Sequence, residues 1–99
     1  SGVASEPCWS VMAGFASPLG YTPDTFRSEG PISWAARNSA KPGRAGAETW
    51  VIHASPARSR ELIDLPKDEV ARILLADFVT ATGAPPAAPL HLDAHRWLY

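Results

Sequence analysis

Pro66–Gly83 reads PKDEVARILLADFVTATG, and this stretch decides the fold class. Proline at the first helical position gives up an amide that has no intrahelical partner anyway, so the spacing predicts a helix beginning at Pro66. Asp68 and Glu69 then sit in the first turn, where negative charge suits the helix dipole. Val70, Ile73, Leu74, Phe78 and Ala81 recur on one stripe at helical spacing, and Gly83 is placed to end the helix. Just upstream, Pro56 to Ile63 reads as a short helical turn.

On both sides of this helix the apolar period falls to two. Cys8 to Phe15 alternates, with Trp9, Val11, Ala13 and Phe15 on one side and Cys8, Ser10, Met12 and Gly14 on the other. Ser17 to Gly30 carries Pro18, Gly20, Pro23 and Gly30 among polar residues and reads as a long surface connection pinned by Tyr21 and Phe26. Further strands are predicted from about Ile32 to Arg37 and from about Glu48 to Ser55. The Asn38–Ala47 separator holds Pro42-Gly43 and Gly46, which is turn chemistry for an antiparallel hairpin. Ala84 to Pro89, with three prolines, is a stiff connector. Leu90 to Tyr99 alternates again, with Leu90, Leu92, Ala94 and Leu98 on one side and His91, Asp93, His95, Trp97 and Tyr99 on the other. Its pattern is still running at Tyr99, where a natural terminus would be polar and loose, so the stretch is expected to be cut from a longer chain.

Strands linked by a hairpin, then one long helix, then a strand make an α+β fold: a mostly antiparallel β-sheet with one long helix packed on one face. The leucine side of the last strand is the natural side for the helix. The opposite face is then expected to present His53 and Ser55 from the third strand beside His95 and Trp97 from the last. An exposed aromatic and polar patch of that kind meets a partner or a ligand.

Ninety-nine residues suffice for a single domain spanning the chain, burying roughly two-thirds of its unfolded surface. With 45% hydrophobic residues, 19% charged residues and a formal net charge of −1, the composition is that of an ordinary globule with no general attraction to nucleic acid. No apolar run approaches the ~20 residues that cross a bilayer, and no signal-like leader is present. The chain is expected to be soluble and cytoplasmic, without membrane contact. Cys8 is the only cysteine, so an internal disulfide is excluded, and it reads as a small buried hydrophobe.

Three constellations carry chemistry on paper. His91 and His95 share a face but lie four residues apart on a strand, roughly 13 Å, too far to share one ion, so no metal is expected. Ser55, His53 and Asp93 name a nucleophilic triad, yet Ser55 has neither a tight glycine-flanked elbow nor an oxyanion motif. Arg37, Lys41, Arg44, Arg58 and Arg60 set five positive charges against Glu48 over residues 37–60, which reads as a solvated rim or as attraction for an anion such as a nucleotide phosphate.

Pro7-Cys8-Trp9, Ile32-Ser33-Trp34 with Asn38-Ser39 and Lys41-Pro42-Gly43-Arg44, Trp50-Val51-Ile52-His53-Ala54-Ser55, and His95-Arg96-Trp97-Leu98-Tyr99 together make the chain resemble the renalase-like branch of the flavin-containing amine oxidase superfamily. The likeness spans nearly the whole chain and lies in the order and spacing of these pieces. It implies the excised substrate domain of an NAD(P)/FAD-dependent oxidoreductase, whose sheet roofs a cavity over the flavin. The glycine fingerprint for the FAD pyrophosphate is missing from this chain. FAD is therefore expected in the parent protein, held by that protein's own FAD-binding domain, with no cofactor and no catalytic residue in this stretch alone.

On this reading Trp34, Asn38, His53, His95 and Trp97 are the substrate-cavity candidates, and Lys41 and Arg44 an anion-binding rim. The substrate implied is a reduced nicotinamide or an amine-like small molecule. The alternative is a stand-alone interaction or dimerisation module that pairs with itself or another protein through the uncovered sheet face. A small hydrolase built on His53 and Asp93 is the third reading.

Overall fold

The structure, a computed structural model, describes residues 7–16, 19–38, 48–84 and 88–98. The elements are β1 (Pro7–Phe15), β2 (Thr25–Arg27), β3 (Ile32–Arg37), β4 (Glu48–Ala54), α1 (Pro56–Glu61), α2 (Lys67–Thr82) and β5 (His91–Leu98). The five strands form one sheet in the order β2-β3-β4-β1-β5, with every neighbouring pair antiparallel. With α2 packed against it, this is the α+β architecture that the change of period predicts.

Strand alternation sorts the two faces. Trp9, Val11, Ala13 and Phe15 of β1, Trp50, Ile52 and Ala54 of β4, and Ala94 of β5 are buried beneath the helices. Val70, Leu74 and Phe78 of α2 meet them, with Phe78 tilted against Trp50 at 5.1 Å between centroids and edge-on to Phe26 at 6.0 Å. The stripe differs from its sequence reading on one flank. Ala71 and Leu75 are buried, whereas Ile73 is half-buried and Ala81 exposed. The helix is rolled by about one residue so that the small Ala71 can approach the sheet. Lys67 is its first residue, and Pro66 is the cap whose carbonyl accepts from the Glu69 and Val70 amides. Gly83 ends it with a left-handed φ of 74°, donating its amide to the Val79 carbonyl.

The stretch read as a connection from Ser17 to Gly30 contains a strand. Thr25–Arg27 pairs with β3, and Phe26 turns inward opposite Ala35. Three residues between Pro23 and Gly30 are too few for alternation to register. A guanidinium fixes this stretch. Arg37 donates to the carbonyls of Tyr21, Thr22 and Pro23, pairs with Asp24 Oδ1 at 2.6 Å, and lies 5.0 Å over the Trp50 ring. Its Nε lies 3.2 Å from Glu48 Oε2, as an ion pair without the alignment of a hydrogen bond. Buried Glu48 accepts from the Leu19 amide at 3.0 Å and the Trp50 indole at 2.9 Å.

Ser55 is not a face residue. β4 stops at Ala54, and the Ser55 hydroxyl caps α1 by accepting from the Arg58 amide at 3.1 Å. With β4 ended there, α1 takes its place beside β1, and buried Ser59 Oγ accepts the Trp9 amide at 3.0 Å. Arg58 binds Asp77 of α2 at 2.9 Å and Glu61 at 3.0 Å, tying the two helices together. These carboxylates, Asp77 foremost, hold the guanidinium above its ordinary pKa.

Glu48→Ala should cost about 3–5 kcal/mol, because it leaves the Arg37 cation short of its buried partner. Glu48→Gln keeps an oxygen for Leu19 and Trp50 and should cost about 1–3 kcal/mol. Urea denaturation of the two variants checks the order.

Candidate functional site

The sheet face turned away from the helices carries the chemistry-bearing side chains. Register places Trp34 opposite His53, His53 opposite Ser10, and Ser10 opposite His95, so one row crosses β3, β4, β1 and β5. Arg27 of β2 continues it beside Trp34. A neighbouring row runs Ala36, Val51, Met12, Asp93, and Cys8 lies opposite Trp97 on the other side. Strands stand about 4.8 Å apart, so the first row spans two aromatic clusters separated by a serine.

Each cluster is a contact pair. The Trp34 and His53 rings meet edge-on at 4.5 Å between centroids. The His95 and Trp97 rings lie 4.0 Å apart at 58°. Between them, Ser10 is buried and its Oγ accepts the Trp97 indole N–H at 3.1 Å, which leaves its own proton to donate. Met12 and Trp97 remain 43% and 45% exposed, large values for apolar side chains on a sheet, so the face presents apolar surface to solvent.

Burial lowers the His53 pKa from its ordinary value, so the imidazole is neutral at pH 7 and offers one donor and one acceptor. Burial also raises the Cys8 thiol, which therefore stays protonated at neutral pH and is a poor nucleophile.

Four of the sequence-predicted cavity residues, Trp34, His53, His95 and Trp97, come together on this face. Asn38 does not join them. Its amide bonds to the Thr49 carbonyl at 2.7 Å, four residues along β3 from Trp34 and roughly 13 Å away. Lys41 and Arg44 lie outside the described residues, as does most of the turn between β3 and β4. The triad on paper does not assemble: Ser55 caps α1, and Asp93 sits opposite Met12, two strands from β4. Among the described residues no three His, Cys, Asp or Glu side chains converge on a metal-sized point. Of the basic segment, Arg37 and Arg58 pair with Asp24, Glu48, Glu61 and Asp77 inside the fold, while the proposed rim residues lie outside the described residues.

Sequence reasoning passed over Ser10, Met12 and Arg27. Parity places Ser10 and Met12 on this face, but only the strand order reveals that β1 runs through its middle. Compared with models of known protein families, the chain matches none.

His53 should titrate below 6.5 in the folded chain, as an NMR pH series on its ring protons would read. In the pH range below 6.5 the unfolded chain then binds more protons at this site than the folded one. Stability should therefore be fully present above pH 6.5 and decline as the solution is acidified, and His53→Gln should remove that part of the decline.

Proposed function

We propose that this chain is the substrate domain of an FAD-dependent oxidoreductase of the renalase-like, amine oxidase kind, and that its uncovered sheet face forms one wall of the substrate cavity over the flavin. The observation that carries this reading is the band Trp34, His53, Ser10, His95 and Trp97, laid across four strands on a face no helix covers. Two ring pairs flanking a hydroxyl suit a planar, mostly apolar ligand with a few polar atoms: the rings supply contact area and the serine and imidazole fix orientation.

The residues fit the ring end of FAD and not its phosphates. The chain has no Gly-x-Gly-x-x-Gly, and Arg37 and Arg58 are committed to carboxylates within the fold. The dinucleotide would be held by another part of the parent protein, while Trp34 and Trp97 pack over the cavity. Bound FAD supplies the acceptor for a hydride. This chain's part is to exclude water with its aromatic rings and to hydrogen-bond the substrate through neutral His53 and the Ser10 hydroxyl. A nicotinamide or amine-like substrate meets no permanent charge from either group.

The test uses the full-length protein that contains this stretch. It should carry a strand followed by Gly-x-Gly-x-x-Gly before Ser1 and should bind flavin. Trp34→Ala or His53→Ala should raise KM for the reducing substrate about tenfold, a loss of roughly 1.4 kcal/mol of binding, with flavin content unchanged. A natural polypeptide that begins near Ser1 would overturn the reading, as would a flavoprotein whose KM ignores both substitutions.

A further inference from the structure

The two edges of the sheet are built differently. β2 is three residues long, follows Pro23, and is locked by the Arg37 clamp, so it offers little backbone to a newcomer. β5 is eight residues long, in unbroken register with β1 from Pro7↔Leu98 to Gly14↔His91, and contains no proline, glycine or lysine. Among the described residues no strand pairs with its outer side. Above that edge, a concavity of ≈ 670 Å³ is lined mainly by apolar Ala71, Leu75, Val79 and Leu92, with the charged Asp68 and Arg72 also contributing. Its lining takes nothing from β1, β3 or β4, which puts it on the edge side of the helix.

We propose that a second copy of this chain adds its β5 antiparallel to this one, about a twofold axis through Ala94, to make a continuous ten-stranded sheet. Charge selects the occupant, and charge with strand overlap selects the register. An axis through Leu92 would also set Asp93 against a histidine, the partner's His91, but would pair only residues 91–93 of β5. In an antiparallel pair, directly opposite residues share a face. An axis through Ala94 sets Asp93 against the partner's His95, and His95 against the partner's Asp93, all four exposed in the single chain. The carboxylate accepts and the imidazole donates in either protonation state. An axis through Asp93 would oppose two carboxylates, and one through His95 would leave Asp93 against an indole. At the axis itself Ala94 meets its own copy without crowding. On the helix side, Leu92 faces the partner's Arg96, whose aliphatic stem extends the layer beneath the concavity. The contact is isologous and closes at two copies, as twofold pairing requires. It leaves the aromatic face open and stands independently of the proposed function.

Sedimentation equilibrium of the 99-residue chain should show a dimer, and hydrogen exchange should show the amides of residues 91–98 gaining protection as concentration rises. Asp93→His opposes two imidazoles twice over, and His95→Asp opposes two carboxylates twice over. Each should raise the dimer dissociation constant roughly tenfold. The double variant D93H/H95D restores opposite partners in this register alone and should recover most of the loss. Both positions are exposed, so far-UV circular dichroism should stay unchanged in every variant. A chain that stays monomeric at all concentrations overturns the proposal. So does a dimer indifferent to the swap, or one that Met12→Glu dissolves while the β5 amides exchange freely, which would mean pairing through the sheet face instead.

Discussion

Five strands are covered by helices on one side only, and that constraint shapes everything else in the molecule. A single 16-residue helix with a six-residue companion has enough apolar surface to close one layer over the sheet. All the large core side chains therefore point one way: Trp9, Phe15, Trp50, Ile52 and Phe78 are buried in the same layer. The reverse face keeps the residues with the opposite parity, among them Cys8, Ser10, Met12, Trp34, His53, His95 and Trp97. Since parity is inherited from the same strands, the composition of the open face follows from the packing of the closed one. A one-residue slip of any strand would exchange them.

The closed layer also needs a device at its β2 end, where α2 reaches the edge strand through the Phe78–Phe26 contact. Glu48 and Arg37 provide it. Glu48 starts β4 and Arg37 ends β3, so the hairpin brings an acid and a base together under Leu19, Tyr21 and Asp24. An unpaired carboxylate in that position would be costly, and each of its oxygens is engaged. The pair converts a stretch with little apolar content into a lid over Trp50. Trp9 shows the opposite economy: its indole N–H is buried with no partner among the described residues, and the ring is held by packing alone, with the Arg96 guanidinium 5.8 Å from its centroid.

What the sequence made legible were elements and faces. The alternation in β1, β4 and β5 and the stripe in α2 are long enough to repeat several times, so both the element and its inward side could be read. β2 is three residues, less than two periods, and was invisible as a strand. Strand order was beyond reach for a different reason: periodicity says which side a residue faces, never which strand lies next door. His53 and His95 were assigned one face correctly, but that Ser10 lies between them depends on β1 being central. Asn38 lies one residue past the end of β3, its backbone amide bonded to the Thr49 carbonyl, away from the two aromatic pairs. A count of charge along the chain says nothing about sides in space: Arg37 turns to the closed layer and Arg58 to the helix pair.

On the open face, His53 and Ser10 differ from their neighbours in hydration. A polar group on a flat exposed sheet is normally well hydrated and contributes little specificity. Here Trp34 screens one side of the imidazole and Trp97 occupies the serine oxygen, so both polar groups are partly stripped of water before any ligand arrives. The lowered pKa of His53 reports that dehydration directly. A ligand that meets these groups displaces less water than it would on an open strand, and one that fails to satisfy them leaves a half-buried donor or acceptor unpaired. On the proposed reading, discrimination on this face would come from the cost of a mismatch, which the aromatic pairs raise by keeping solvent away, more than from the strength of any bond it forms.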